Sequence, residues 1–151
     1  WVMKQLIEHH NPKYRGQLGL FKFHYNENIM VVGKYDGSTF EGSDKLSMAV
    51  MKDLGTFKDW CDTRSGVVIA EGDRFMNMRY IETMQPLIIQ IQGNGDAGRL
   101  KRRSKQTQRH LKSINTRVSN ISNDFGIVKV YDSNHCLNFI NKQIDEYTKA
   151  K

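Results

Sequence analysis

The run Val67-Val68-Ile69-Ala70 leads without a break into Glu71-Gly72-Asp73-Arg74-Phe75. Four consecutive small or apolar residues predict a strand buried on both faces. Two carboxylates and a guanidinium at the end of such a strand are costly to bury as packing alone. In α/β proteins, ligands gather at that end of the strands. Gly72 allows a tight backbone turn between the two acids. A carboxylate placed there can hold Mg²⁺ or orient a hydroxyl, and the arginine fork can clamp a phosphoryl oxygen. The competing reading is a surface salt bridge at a strand end.

Around this strand the chain alternates helical and extended patterns. Residues 1–10 read as a helix ended by Asn11-Pro12. Leu18 to Tyr25 alternates as a strand, Asn26-Glu27-Asn28 is a turn, and Ile29 to Val32 is a second apolar strand, so the pair reads as a β-hairpin or a strand returning beside the first. After the loop 33–44, a helix begins at Ser43 or Asp44 with the stripe Leu46, Val50, Leu54 and Phe57, and Gly55 is placed to break or bend it. Met76 to Met84 reads as helix and Leu87 to Gln92 as strand. A basic helix is expected over 97–113. Val128 to Tyr131 is a last strand, and Asp132 or Ser133 caps a final helix striped by Leu137, Ile140, Ile144 and Tyr147. Helices alternating with short buried strands predict one α/β domain over 1–151, a three-layer sandwich with a parallel sheet flanked by helices.

The net charge of +7 is unevenly placed. From Ala97 to Asn123 there is no acid, while Arg99, Lys101, Arg102, Arg103, Lys105, Arg109, Lys112 and Arg117 contribute eight positive charges, leaving 7 − 8 = −1 for the remainder. Such a segment attracts a polyanion, either nucleotide phosphates or a nucleic-acid backbone. The alternative is a solvated face, although a run without one acid repels itself when no anion is bound. No apolar run is long enough to span a bilayer, and no signal peptide is visible. Cys61 and Cys136 have no metal spacing and read as free thiols in a reducing cytoplasm. The five histidines form no ligand spacing with them and read as structural or surface residues.

A second acidic loop carries Lys34, Tyr35, Asp36, Glu41 and Asp44 among three glycines, just past a buried strand. In a parallel sheet this loop shares an edge with Asp73, so two acid-rich loops converge on one crevice. Composition alone equally allows a solvated turn.

The order of these pieces resembles the P-loop nucleoside and nucleotide kinases of the thymidylate-kinase-like group. Asp73-Arg74-Phe75 looks like that group's Asp-Arg-aromatic motif at the end of a core strand, and Arg99 to Arg109 looks like its arginine-rich lid helix. The segment Gly33-Lys34-Tyr35-Asp36-Gly37 with Glu41-Gly42-Ser43-Asp44-Lys45-Leu46 is similar to the phage branch, which includes the 5-hydroxymethyldeoxyuridine DNA kinases. The likeness implies a P-loop NTPase-like fold, ATP and Mg²⁺ as cofactors, and DNA containing a modified pyrimidine as partner, in the cytoplasm of a host cell if the chain is viral. One departure is plain. No Gly-x-x-x-x-Gly-Lys-Ser/Thr run occurs, and Gly93-Asn94-Gly95-Asp96-Ala97-Gly98 lacks its Lys-Ser/Thr. The chain opens at Trp1 on helically spaced Val2, Met3, Leu6 and Ile7 with no cap before them, so an N-terminal strand and phosphate loop are expected to lie upstream.

The resemblance also implies roles. Asp36, Asp73 and Arg74 are the catalytic candidates, with Asp36 accepting or orienting the acceptor's proton and Arg74 holding the acceptor. Lys34, Tyr35, Glu41 and Asp44 are the substrate-binding candidates. Tyr35 or Phe40 would stack on a base that has left the helix. Arg99, Arg102, Arg103 and Arg109 would neutralise charge on the transferred group. Glu71 and Asp73 are the candidates for Mg²⁺. Two other functions stay open: a kinase of free deoxynucleoside monophosphates, and a non-enzymatic nucleic-acid-binding domain that uses the basic helix alone.

Overall fold

The structure, a computed structural model, describes residues 1–38, 41–92 and 108–150. Helix α1 (Val2–His10) ends where Asn11 turns left-handed ahead of Pro12. Strands β1 (Tyr14–Leu18), β2 (Phe21–Tyr25) and β3 (Ile29–Val32) follow. Two short 3₁₀ turns, Ser43–Lys45 and Val50–Asp53, lead into α2 (Leu54–Asp62). After β4 (Val67–Ile69) come α3 (Met78–Met84) and β5 (Ile89–Ile91). Helix α4 (Gln108–Phe125), β6 (Val128–Val130) and α5 (Ser133–Lys149) complete the described chain. Two caps follow from sequence chemistry: the Asn77 side chain accepts from the Tyr80 N–H at the start of α3, and Asp132 accepts from the His135 N–H at the start of α5, both at 2.9 Å.

The sheet corrects the expected fold. Instead of one parallel sheet in a P-loop NTPase-like sandwich, there is a four-stranded mixed sheet in the order β1-β2-β3-β4 and a separate two-stranded sheet of β5 and β6. β1 pairs antiparallel with β2, and β2 with β3; β3 with β4 and β5 with β6 are parallel. Connection length explains the difference. Tight turns join β1 to β2 and β2 to β3, and only antiparallel strands can be joined so briefly. The residues from Gly33 to Gly66 are long enough for the crossover that a parallel β3–β4 pair requires. The expected strand Leu18–Tyr25 is in fact two, split by a turn at Gly19-Leu20. The expected helix from Ser43 forms its α-helical part only from Leu54, and Gly55 lies in its first turn without breaking it.

Strand alternation sorts the core. Phe21, Phe23, Met30 and Val32 face α2, where the rings of Phe21 and Phe57 stack with centroids 4.1 Å apart. On the opposite face, Ile29, Val31 and Ile69 meet Met3 and Leu6 of α1 and Ile144 of α5. A third cluster joins Ile81 of α3, Ile88 and Ile121 of α4. Cys61 and Cys136 are free, and burial pushes the Cys61 thiol up to about 11. Among the described residues, no helix is long and apolar enough to cross a membrane.

Candidate functional site

The two parallel strands β3 and β4 run side by side and end at the same edge, with Ile29 opposite Val67 and Val31 opposite Ile69. The loop after β3 and the loop after β4 therefore emerge as neighbours. Mutual main-chain bonds between Lys34 and Gly42, at 3.0 and 2.9 Å, tie the two flanks of the first loop together. The second loop presses against it at its glycines. A side chain at Gly72 would stand 2.5 Å from the Ser43 hydroxyl, and one at Gly42 would stand 2.8 Å from a Glu71 carboxylate oxygen. Both glycines have positive φ, 89° and 104° respectively, so a side chain at either is strained by backbone conformation and would have to displace its neighbour. Convergence of the two acid-rich loops is thus built into the main chain.

Phe75 anchors the second loop. It is buried in the α2-side core with its ring 4.9 Å from Tyr80 and 6.3 Å from Phe21. The aromatic third position of Asp73-Arg74-Phe75 is therefore a packing residue.

The polar side chains are largely engaged with one another. Tyr35 donates its hydroxyl to Glu71 at 2.8 Å. Burial, and then the Glu71 charge, push the Tyr35 phenol well above its usual range, so it remains a donor. Asp36 is fronted by the Lys34 ammonium at 3.0 Å and by the Ser38 N–H at 3.2 Å. Hydrogen bonding from the Ser38 side chain, then from Lys34 and the Ser38 N–H, holds the Asp36 carboxyl far below the usual carboxylate range. A carboxylate that acidic is a weak base and a good hydrogen-bond acceptor. Glu41 takes Lys4 at 2.6 Å and the Gly37 N–H, and bonding to Lys4 leads in lowering its carboxyl pKa.

Arg74 is committed inward. It donates to the Asp44 carbonyl at 2.8 Å and approaches the Met48 sulfur at 2.9 Å, while its Nε is buried without a partner. In this arrangement it stiffens the 44–48 segment, and only rearrangement would free it to hold an acceptor. The Asp44 side chain is exposed. Asp73 pairs with Arg117, which reaches it from α4. Both partners are half-exposed, with 37% and 40% of their side-chain surface open.

Among the described residues, no cluster of three His, Cys, Asp or Glu side chains could hold a metal ion. Glu71 and Asp73 are nevertheless hard oxygen donors on one tight loop. Mg²⁺ commonly takes one or two carboxylates and completes its shell with phosphate oxygens and water. Glu71 already takes the Tyr35 hydroxyl and Asp73 pairs with Arg117, so a metal held in that sparse mode would displace those partners.

Of the residues expected at the site, Lys34, Tyr35, Asp36, Glu41, Asp44, Glu71, Asp73 and Arg74 all lie at this edge. Arg109 is exposed in the first turn of α4. Arg99, Arg102, Arg103 and Phe40 lie outside the described residues, as does most of the expected helix 97–113. Two participants were not singled out from sequence. Arg117 belonged to the acid-free run, and that membership was its only signal. Met48, 86% exposed beside Arg74, carried none. Compared with protein-family models, with curated proteins and with solved structures, the chain matches none of them.

Proposed function

We propose that this edge is a phosphoryl-transfer site, and that the chain is the acceptor-binding part of an ATP-dependent kinase acting on a hydroxymethyl-pyrimidine in DNA. The Asp73–Arg117 pair is the observation that carries the reading. It brings the Arg117 guanidinium of α4 against the acidic strand end, and that supports a reading in which a cation and the acceptors for a hydroxyl act together. In such a transfer the acceptor oxygen bonds to the γ-phosphorus, the bridging P–O bond to ADP breaks, and the hydroxyl proton is released.

Each side chain has a part in that reaction. Asp36, strongly acidic and held by Lys34, orients the acceptor hydroxyl through a hydrogen bond rather than removing its proton early. A loose transition state asks chiefly for such positioning. Glu71 and Asp73 would hold Mg²⁺, which when bound screens the charge of the phosphates. Arg117 is placed to exchange Asp73 for a phosphoryl oxygen as charge develops. ATP turnover further requires a phosphate-cradling loop, which the 151 residues do not contain. The proposal therefore includes its supply by sequence outside them.

The test uses the full-length protein with γ-labelled ATP, Mg²⁺ and duplex DNA carrying 5-hydroxymethyluracil. Label is expected in that DNA and not in DNA with thymine instead. Asp73→Asn is expected to slow transfer by about 100-fold or more. Label appearing only in free deoxynucleoside monophosphates would replace the acceptor by a nucleotide. Absence of turnover, together with DNA binding that weakens steeply with salt, would make the chain a binding module instead.

A further inference from the structure

The opposite end of the four-stranded sheet carries a second constellation, made by different residues. Arg64, just past α2, lies with its guanidinium carbon 4.4 Å from the Trp60 ring centre and 4.9 Å from that of Tyr25. Tyr25 in turn stands 5.5 Å from Tyr14, whose side chain on the edge strand β1 is 60% exposed. Tyr14, Tyr25, Asn26, Glu27 and Arg64 line a groove of about 240 Å³. That is below the roughly 300–1,000 Å³ of sites for drug-sized ligands, and suits one planar ring system.

Several features set the chemistry of the occupant. Among the described residues no carboxylate pairs with Arg64, which is exposed and makes its contacts with ring faces. The Asn26 side chain is consumed by its own turn, accepting from the Asn28 and Ile29 N–H groups and donating to the His10 carbonyl. Glu27 is left as the acidic acceptor on the rim. Lys13 stands next to Tyr14 at this edge, whereas Arg15 and Lys22 alternate onto the other face of the sheet. Exposed aromatic rings beside a guanidinium plane are the combination that stacks flat, unpaired bases.

We infer that the Tyr14–Tyr25–Arg64 groove is a docking site for single-stranded DNA, taking one unpaired base by stacking while Lys13, next to Tyr14 on the same edge, meets a flanking phosphate. The stacking chemistry is independent of the reaction proposed at the other end of the sheet. Only the choice of DNA over RNA rests on that reading, because its acceptor is a base in DNA.

The experiment uses tryptophan emission. The chain has two tryptophans, so Trp1→Phe leaves Trp60 as the sole reporter, within reach of a stacked base. A short oligothymidylate is expected to quench it saturably. Tyr14→Ala is expected to weaken that binding by roughly tenfold, as loss of one base–aromatic stack does, and Arg64→Gln to weaken it as well. Both side chains are on the surface, and unchanged circular dichroism checks that the variants fold. Asp73→Asn is expected to leave the quenching intact, so failure of the kinase reading and failure of this one are separable. Quenching that is absent, that survives both groove substitutions, or that a blunt duplex of the same sequence reproduces would overturn the site. Equal quenching by oligouridylate would overturn the choice of DNA.

Discussion

Gly72 turns the chain at φ 89° with the Ser43 hydroxyl where its own side chain would stand. Gly72→Ala therefore combines an unfavourable backbone conformation with a clash, and is expected to cost about 1–3 kcal/mol, read as a lower urea midpoint. His24 makes a second test. Burial, then the charge of Arg15, lower its pKa, and its ring lies edge-on to Tyr35 at 6.0 Å. A group whose protonation the folded state resists takes up its proton first in the unfolded chain. Stability from His24 is therefore present above about pH 6.5 and falls as the pH drops below it. His24→Gln is expected to flatten the fall in urea midpoint between about pH 7 and 5.5; an unchanged slope would assign it to another group. At this scale the sequence was informative where chemistry is local. Acids beside glycines announce tight, charged turns. It was silent on Arg74, because an arginine at a strand end looks the same whether it faces a ligand or folds back on the Asp44 carbonyl.

Among the elements, legibility followed apolar content. Ile29–Val32 and Val67–Ile69 are strands because every position fits a buried pleat, and their patterns say so. β1 reads Tyr-Arg-Gly-Gln-Leu, largely exposed, and owes its strand form to pairing with β2 rather than to its own pattern. Helix α4 continues to Phe125, past the end of the expected basic helix 97–113, of which only 108–113 falls among the described residues. Its apolar contact with the rest of the molecule, Ile121, lies further on. That continuation matters for function, since it carries Arg117 against Asp73. A half-exposed ion pair contributes only about 0–1 kcal/mol. Arg117→Ala is thus expected to leave the urea midpoint nearly unchanged while sharply slowing transfer to hydroxymethyluracil DNA. A large stability loss with unchanged specific activity would reduce Arg117 to a structural strut.

For the whole molecule, the question is how two sheets act as one body. Periodicity assigned buried strands and covering helices, but it cannot give strand direction, because a fully apolar run is identical in parallel and antiparallel company. Direction came from the loops, and the loops split the sheet. Helix α5 rejoins the parts: Ile144 is 2% exposed against Ile29, Val31 and Ile69 of the larger sheet, while the same helix touches β5 and β6. Cooperativity should then pass through α5. Ile144→Ala is expected to cost about 2–5 kcal/mol, a large share of the roughly 5–15 kcal/mol that holds a domain folded. The readout is urea unfolding followed by far-ultraviolet circular dichroism and by tryptophan emission. In the wild-type protein the two curves are expected to coincide, as they do when one cooperative unit unfolds. In the variant they are expected to shift together, since the helix that weakens one sheet's core also holds the other. Separate transitions, with Trp60 reporting the larger sheet at its original midpoint, would show that the sheets fold independently and that α5 only spans them.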